Sequence, residues 1–182
     1  MPGEPYSAYE WGVFNQFKDA ALRGVGILDD WDEIALRLRP DAPNMAADRF
    51  HHWVWEAARP SWGSGLFRAA VHHAASAINE QLQKKLMCQA LSDNELIQEA
   101  FSEKPPASNR ARLRVLGELE NKTTASRQRG ALQLGLACFW AIRNPAAHET
   151  VEWHEQHALE CLAILSLLAR TIDECTVESY TN

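Results

Sequence analysis

Trp140-Ala141-Ile142-Arg143-Asn144-Pro145-Ala146-Ala147-His148-Glu149 is a compact polar insert between two strongly apolar stretches. To its left, Leu132, Leu134, Leu136, Ala137, Phe139 and Trp140 make residues 127–142 almost wholly apolar. A helix apolar on all sides is a buried one, so this is the expected central helix, with Ser126 placed to cap it. To its right, Ala158, Leu159, Leu162, Leu165, Leu168, Ala169 and Ile172 recur at helical spacing over residues 152–174. Within the insert, Pro145 disfavours helical geometry at Asn144 and lacks a backbone donor. Asn144 as N-cap with Pro145 at the first helical position is a favoured helix start. The expectation is that Arg143 ends one helix and His148 lies in the first turn of the next. On a single continuous helix the two side chains would point about 140° apart.

The rest of the chain is also helical in pattern. Trp11, Phe14, Phe17 and Ala21 repeat at helical spacing before Gly24 and Gly26, and Asp29-Asp30 open a short helix carrying Ile34, Ala35 and Leu38. Residues 45–58 read as a helix that Pro60 breaks, with Ser61 capping a long amphipathic helix over 62–86. Ala69, Ala70, Ala74, Ala75 and Ala77 would let a neighbour approach that helix closely. Ser92-Asp93-Asn94-Glu95 has the pattern of a capped start to a short helix bearing Leu96, Ile97, Ala100 and Phe101. Residues 104–129 differ, with seven Lys and Arg against Glu118 and Glu120, and read as an ordered loop with a short extended piece at 113–116. No stretch alternates convincingly at period two. The fold class is therefore all-α, a bundle of four or five core helices joined by short loops, with a helical extension at 1–45 and the main domain at 46–182.

Composition bounds the function. The 182 residues are 46% apolar, enough for a real core, and no Gly/Ser linker divides them. A formal net charge of −6 argues against a protein that coats nucleic acid along its whole surface, while leaving room for a local basic groove. Cys88, Cys138, Cys161 and Cys175 show no CxxC spacing and read as free thiols in a reducing compartment. The first ten residues lack a basic region and an apolar core, and no window is apolar for 18 residues. The reading is a cytoplasmic protein without a membrane partner.

The chemistry-bearing residues are Arg143 and His148. Arg is a permanent cation with a rigid donor fork suited to phosphate, and His gives or takes protons near neutral pH. At the expected helix start, unpaired N–H groups would face the same space as both side chains, forming an anion site. The reaction that fits is RNA cleavage. A base takes the ribose 2′-OH proton, the oxygen attacks the adjacent phosphorus, an acid protonates the departing 5′-oxygen, and Arg143 stabilises the added negative charge. One His does not easily fill both proton roles, so two copies related by a twofold axis would supply them. The cations Arg110, Arg112, Arg114, Lys122, Arg127 and Arg129 would guide RNA to the site. Glu149 is placed to orient the His148 ring. Two other readings stand beside this one. His148, His154, Glu155 and His157 cluster in sequence and would mark a metal site, though HExxH is absent and no metal or cofactor is required by the ribonuclease reading. A helical dimer binding RNA or protein without catalysis would use the same cleft.

Arg143-Asn144-Pro145-x-x-His148 between apolar helices resembles the R-x4-6-H signature of the HEPN superfamily. A closer resemblance is to the Ymh-type family of bacterial proteins, which is placed with the HEPN group. It is carried by Trp62-x-x-Gly65-x-Phe67-x-x-Ala70-Val71, Ile78-Asn79-x-x-Leu82-Gln83-x-Lys85, Gln128-x-Gly130, Ile142 to Glu149, and Leu165 to Arg170, about two thirds of the chain. The HEPN resemblance implies an all-helical, metal-independent ribonuclease of toxin–antitoxin or phage-defence type. It also implies a homodimer with the two motifs facing across a cleft, and an antitoxin or defence-system partner protein. It implies that Asn144 supports the site; Gln128, from the Gln128-x-Gly130 match, and Glu149, from its place beside His148, are the other supporting candidates. One HEPN subgroup carries a modifiable Tyr two residues after the His; here that position is Thr150.

Overall fold

The computed structural model describes residues 13–21, 45–108 and 110–180. The chain divides into two units, Met1–Asn44 and Met45–Asn182. In the first, residues 13–21 are helical (α1), and the acid-started helix read around Ile34 lies outside the described residues.

The second unit is the helical bundle. A 3-10 turn at Ala47–Arg49 leads into α2 (His52–Trp62), so the continuous helix read over 45–58 starts later and runs through Pro60 rather than stopping at it. Pro60 sits in the last turn, and the carbonyl four residues back that lacks its donor belongs to the exposed Glu56. The turn after it is made at Gly65, whose φ of +73° is open to glycine and strained for other residues. This closes an antiparallel hairpin with α3 (Phe67–Leu86), which therefore begins at Phe67 instead of Trp62. Met87, in the left-handed region, ends α3.

Helix α3 is the hub of the bundle. Ala70, Val71, Ala74, Ala75, Ile78, Leu82 and Leu86 are all buried, and α2 lies closest against it because alanines let the backbones approach. The short α4 (Asp93–Ala100) follows. Ser92 makes no side-chain cap there; the Asp93 amide instead donates to Asn79 Oδ1 at 2.7 Å.

Residues 104–129 are not one loop. Arg112–Arg114 form strand β1, paired antiparallel with Thr176–Glu178 (β2), which the sequence pattern did not reveal because three exposed residues carry no periodicity. Helix α5 begins at Lys122, not Arg127. Its cap is Asn121, whose side chain accepts from the Thr123 and Thr124 amides, and Ser126 lies inside the helix. Gln128 is fully buried and works as a joint: its amide donates to the Leu113 carbonyl at 2.9 Å and the Phe101 carbonyl at 3.3 Å, and its oxygen accepts from the Val115 amide at 3.0 Å.

From α5 (Lys122–Ala137) the chain passes without a break through a π-helical segment, Cys138–Arg143, into α6 (Asn144–His148). One rod of ~40 Å results. Its buried residues, Thr124, Gln128, Ala131, Gly135, Cys138, Phe139, Ile142 and Ala146, form a single stripe, while Trp140 is 64% exposed. The stretch is thus amphipathic, and the element surrounded by neighbours is α3. The last helix, α7, spans Glu155–Glu174 and buries Ala158, Cys161, Leu162, Leu165, Leu168, Ala169 and Ile172 against α3 and α2. Apart from the small two-stranded sheet, the described residues of the second unit are a helical bundle.

Candidate functional site

Asn144 has φ −64° and ψ −49°, ordinary helical values, so it is not an N-cap and no new helix starts at Pro145. The expected anion site of free helix N–H groups is absent for the same reason. The π segment accounts for how proline is accommodated. The Asn144 amide bonds the Phe139 carbonyl, five residues back, instead of Trp140 four back. The wider turn admits the Pro145 ring, and the carbonyls it leaves without a donor belong to exposed residues Trp140 and Ala141, where water reaches them. Single π turns of this kind recur at functional sites.

Arg143 and His148 therefore project from one continuous rod, on diverging sides. Arg143 is held firmly. Its Nη1 donates to Asn144 Oδ1 at 3.0 Å and its Nη2 pairs with Asp93 Oδ2 at 3.1 Å. Asn144 thus fixes the guanidinium, and Asp93, seen in the sequence only as a helix-start residue, is its counter-ion. His148 is exposed and has no hydrogen-bond partner among the described residues. Glu149 does not orient it: its carboxylate accepts from the Trp153 indole N–H at 2.6 Å.

The face of α3 that meets this segment carries the residues that sequence reasoning missed. Arg68, His72 and Asn79 lie four and seven residues apart, on one side of the helix. Arg68 Nη1 donates to the Ala146 carbonyl at 2.6 Å, and its backbone amide donates to Glu152 at 2.6 Å. Arg68 Nε is buried and unbonded. Asn79 holds Asp93, and Asp93 holds Arg143. His72 is half-buried between these two tethers. Burial, and then the charges of His73, Arg143, Arg68 and His148, lower its pKa below the usual value. Arg143 and His148 thus both lie within electrostatic reach of His72.

The six guide cations are largely engaged elsewhere. Arg112 is buried against Glu99, Arg110 pairs with Glu99 at 3.4 Å, Arg114 with Glu178 at 2.6 Å, and Arg129 with Glu103 at 2.6 Å. Glu99 lies six residues along α4 from Asp93, ~9 Å down the helix from the Arg143 pair. Lys122 and Arg127 are exposed, on the rod ~32 Å and ~24 Å from Arg143. Gln128, buried in the β1 joint, serves the fold rather than the Arg143/His148 surface. The metal reading gathers no support: among the described residues no three His, Cys, Asp or Glu side chains assemble as a metal would need. His157 instead stacks edge-on against Trp153, with ring centroids 4.7 Å apart. All four cysteines are free, and burial raises the Cys138 thiol to about 12 and the Cys161 and Cys175 thiols to about 11, so these three are inert. No helix among the described residues is long and apolar enough to cross a membrane.

Residues 48–172 match the family described as "Protein of unknown function (Hypoth_ymh)", and the chain belongs to that family. No curated protein and no solved structure matches it.

Proposed function

We propose that this member of the Hypoth_ymh family is a metal-independent endoribonuclease of the HEPN superfamily, with Arg143 and His148 as its reacting groups. The observation that carries the reading is the contrast between the two side chains. Arg143 is fixed in place by Asn144 and Asp93, while His148 is exposed and uncommitted on the same rod. A guanidinium has five donors, so the bonds to Asn144 and Asp93 leave others free for a phosphate. A positioned cation and an unencumbered imidazole five residues apart on one rod are the two groups that proton transfer with charge stabilisation requires. Cleavage through the 2′-oxygen yields a 2′,3′-cyclic phosphate and a 5′-hydroxyl and spares DNA. The HEPN reading adds a homodimer whose two motifs face one cleft, a role in growth arrest or phage defence, and an antitoxin or defence partner.

The Arg143–Asp93 ion pair favours a second reading, in which the same surface binds RNA or protein without cutting, because the cation already has a counter-charge. Purified protein incubated with RNA in EDTA separates the two. Cleavage by wild type, lost in His148→Ala, supports the ribonuclease; binding without cleavage supports the module.

A further inference from the structure

We propose that His72 is the second proton-transfer group of the Arg143/His148 site, acting with His148 of the same chain. The inference rests on the ribonuclease reading and changes what that reading needs, since both proton roles are then filled without a residue from another copy.

The placement follows from the two tethers across α3. At one end, Arg68 holds the Ala146 carbonyl at 2.6 Å, two residues before His148. At the other, Asn79 holds the Asp93 amide at 2.7 Å, and Asp93 holds Arg143 at 3.1 Å. His72 is one turn from Arg68 and two turns from Asn79 on the same face, so it lies between the two tethers, on the side of α3 that meets the π segment and α6. Its ring lies 5.9 Å from that of His73, which is itself within 3.0 Å of the Ser61 hydroxyl. The charged and titratable groups around it are Arg68 and His73 from its own helix, Arg143 from the π segment and His148 from α6. The acids tied to this face are already engaged, Asp93 by Arg143 and Glu152 by the Arg68 amide. Partial burial among cations keeps an imidazole neutral at pH 7, the form that accepts a proton.

The roles follow. His72 takes the proton from the ribose 2′-OH. The 2′-oxygen bonds to phosphorus, the bond from phosphorus to the 5′-oxygen breaks, and His148 delivers its proton to that oxygen. Arg143 faces the phosphate oxygens throughout. His72 ends protonated and His148 neutral, and exchange with water resets both.

The test is the pH–rate profile of RNA cleavage in EDTA for wild type, His72→Asn and His148→Asn, each checked for folding by thermal melt. His72→Asn should keep the wild-type melting midpoint, lose ~10²–10⁴-fold in rate, and lose the acidic limb of the profile. Mixing His72→Asn with His148→Asn should not restore activity, because no chain then carries both groups. A folded His72→Asn that cuts at the wild-type rate with both limbs intact overturns the assignment and leaves the ribonuclease reading standing. Recovery of activity on mixing overturns the same-chain pairing. A folded wild type that does not cut RNA at all removes the ribonuclease reading, and the role of His72 with it.

Discussion

At the scale of single residues, Arg143, Gln128 and His51 make separate predictions. Arg143→Lys keeps the charge but cannot bond Asn144 and Asp93 in the same plane, so cleavage should fall by at least ~10-fold while the fold persists; a lysine variant of wild-type activity would show that charge alone suffices. Gln128 differs, because each of its polar atoms meets a backbone group that is shielded from water. Gln128→Leu should cost about 2 kcal/mol or more in a denaturant titration by orphaning the Val115 amide and the Leu113 and Phe101 carbonyls. An unchanged denaturation midpoint would mean that the joint is dispensable. His51 is 6% exposed; burial lowers its pKa, opposed by its 3.4 Å approach to Asp173. The unfolded state then binds more protons than the folded one below the usual imidazole pKa. Stability should therefore be full above about pH 6.5 and decline as pH falls through the window beneath it, and replacing both His51 and His72 with Asn should flatten that decline.

At the scale of elements, the π segment and the α4–α5 crossing are the informative features. Pro145→Ala restores a backbone donor and removes the reason for the wide turn. It should leave the melting midpoint equal or higher while activity falls, because the rotation of Arg143 relative to Asp93 is set by that turn. Activity retained in a stable Pro145→Ala protein would separate the π turn from function. At the crossing, a Cβ on Gly135 would come within 2.8 Å of two Ile97 side-chain atoms, and Ile97 is fully buried. Gly135→Ala should destabilise by ~1–3 kcal/mol from overpacking, less up to ~1 kcal/mol returned by helix propensity.

Helices were legible in the sequence because apolar spacing over ten or more residues is a strong signal: residues 152–174 and 62–86 differ from α7 and α3 only at their ends. Their ends were not, since Asn121 and Ser126 are equally good caps by type, and tertiary packing chose the first. The Pro145 break failed for a related reason. A proline signals a missing donor, and whether the chain ends the helix or widens one turn depends on what Phe139, Ile142 and Ala146 gain by staying on a single buried stripe.

At the scale of the whole molecule, the site was half legible. Arg143, Asn144 and His148 stood out because they interrupt apolar sequence. Arg68, His72, Asn79 and Asp93 did not, since their meaning lies in pairing across helices that spacing cannot register. The charge run at 104–129 shows the opposite error: a local excess of cations looks like a guide until Glu99, Glu103 and Glu178 are brought against it by folding. RNA affinity should accordingly depend on Lys122 and Arg127 more than on Arg110 or Arg112. If Lys122 and Arg127 each neutralise one phosphate, changing either to Gln should lower the slope of log affinity against log salt by about 0.7. Unchanged slopes in both variants would leave the far end of the rod without a role in RNA binding. Light scattering should show a dimer at micromolar concentration, and a strictly monomeric, fully active protein would remove the two-motif cleft. The catalytic assignment itself is decided by RNA cleavage in EDTA by wild type and His148→Ala, with the melting midpoint of each taken on the same preparation. Wild type should cut, the variant should not, and the midpoints should be equal. A folded His148→Ala that cuts RNA at the wild-type rate would refute it.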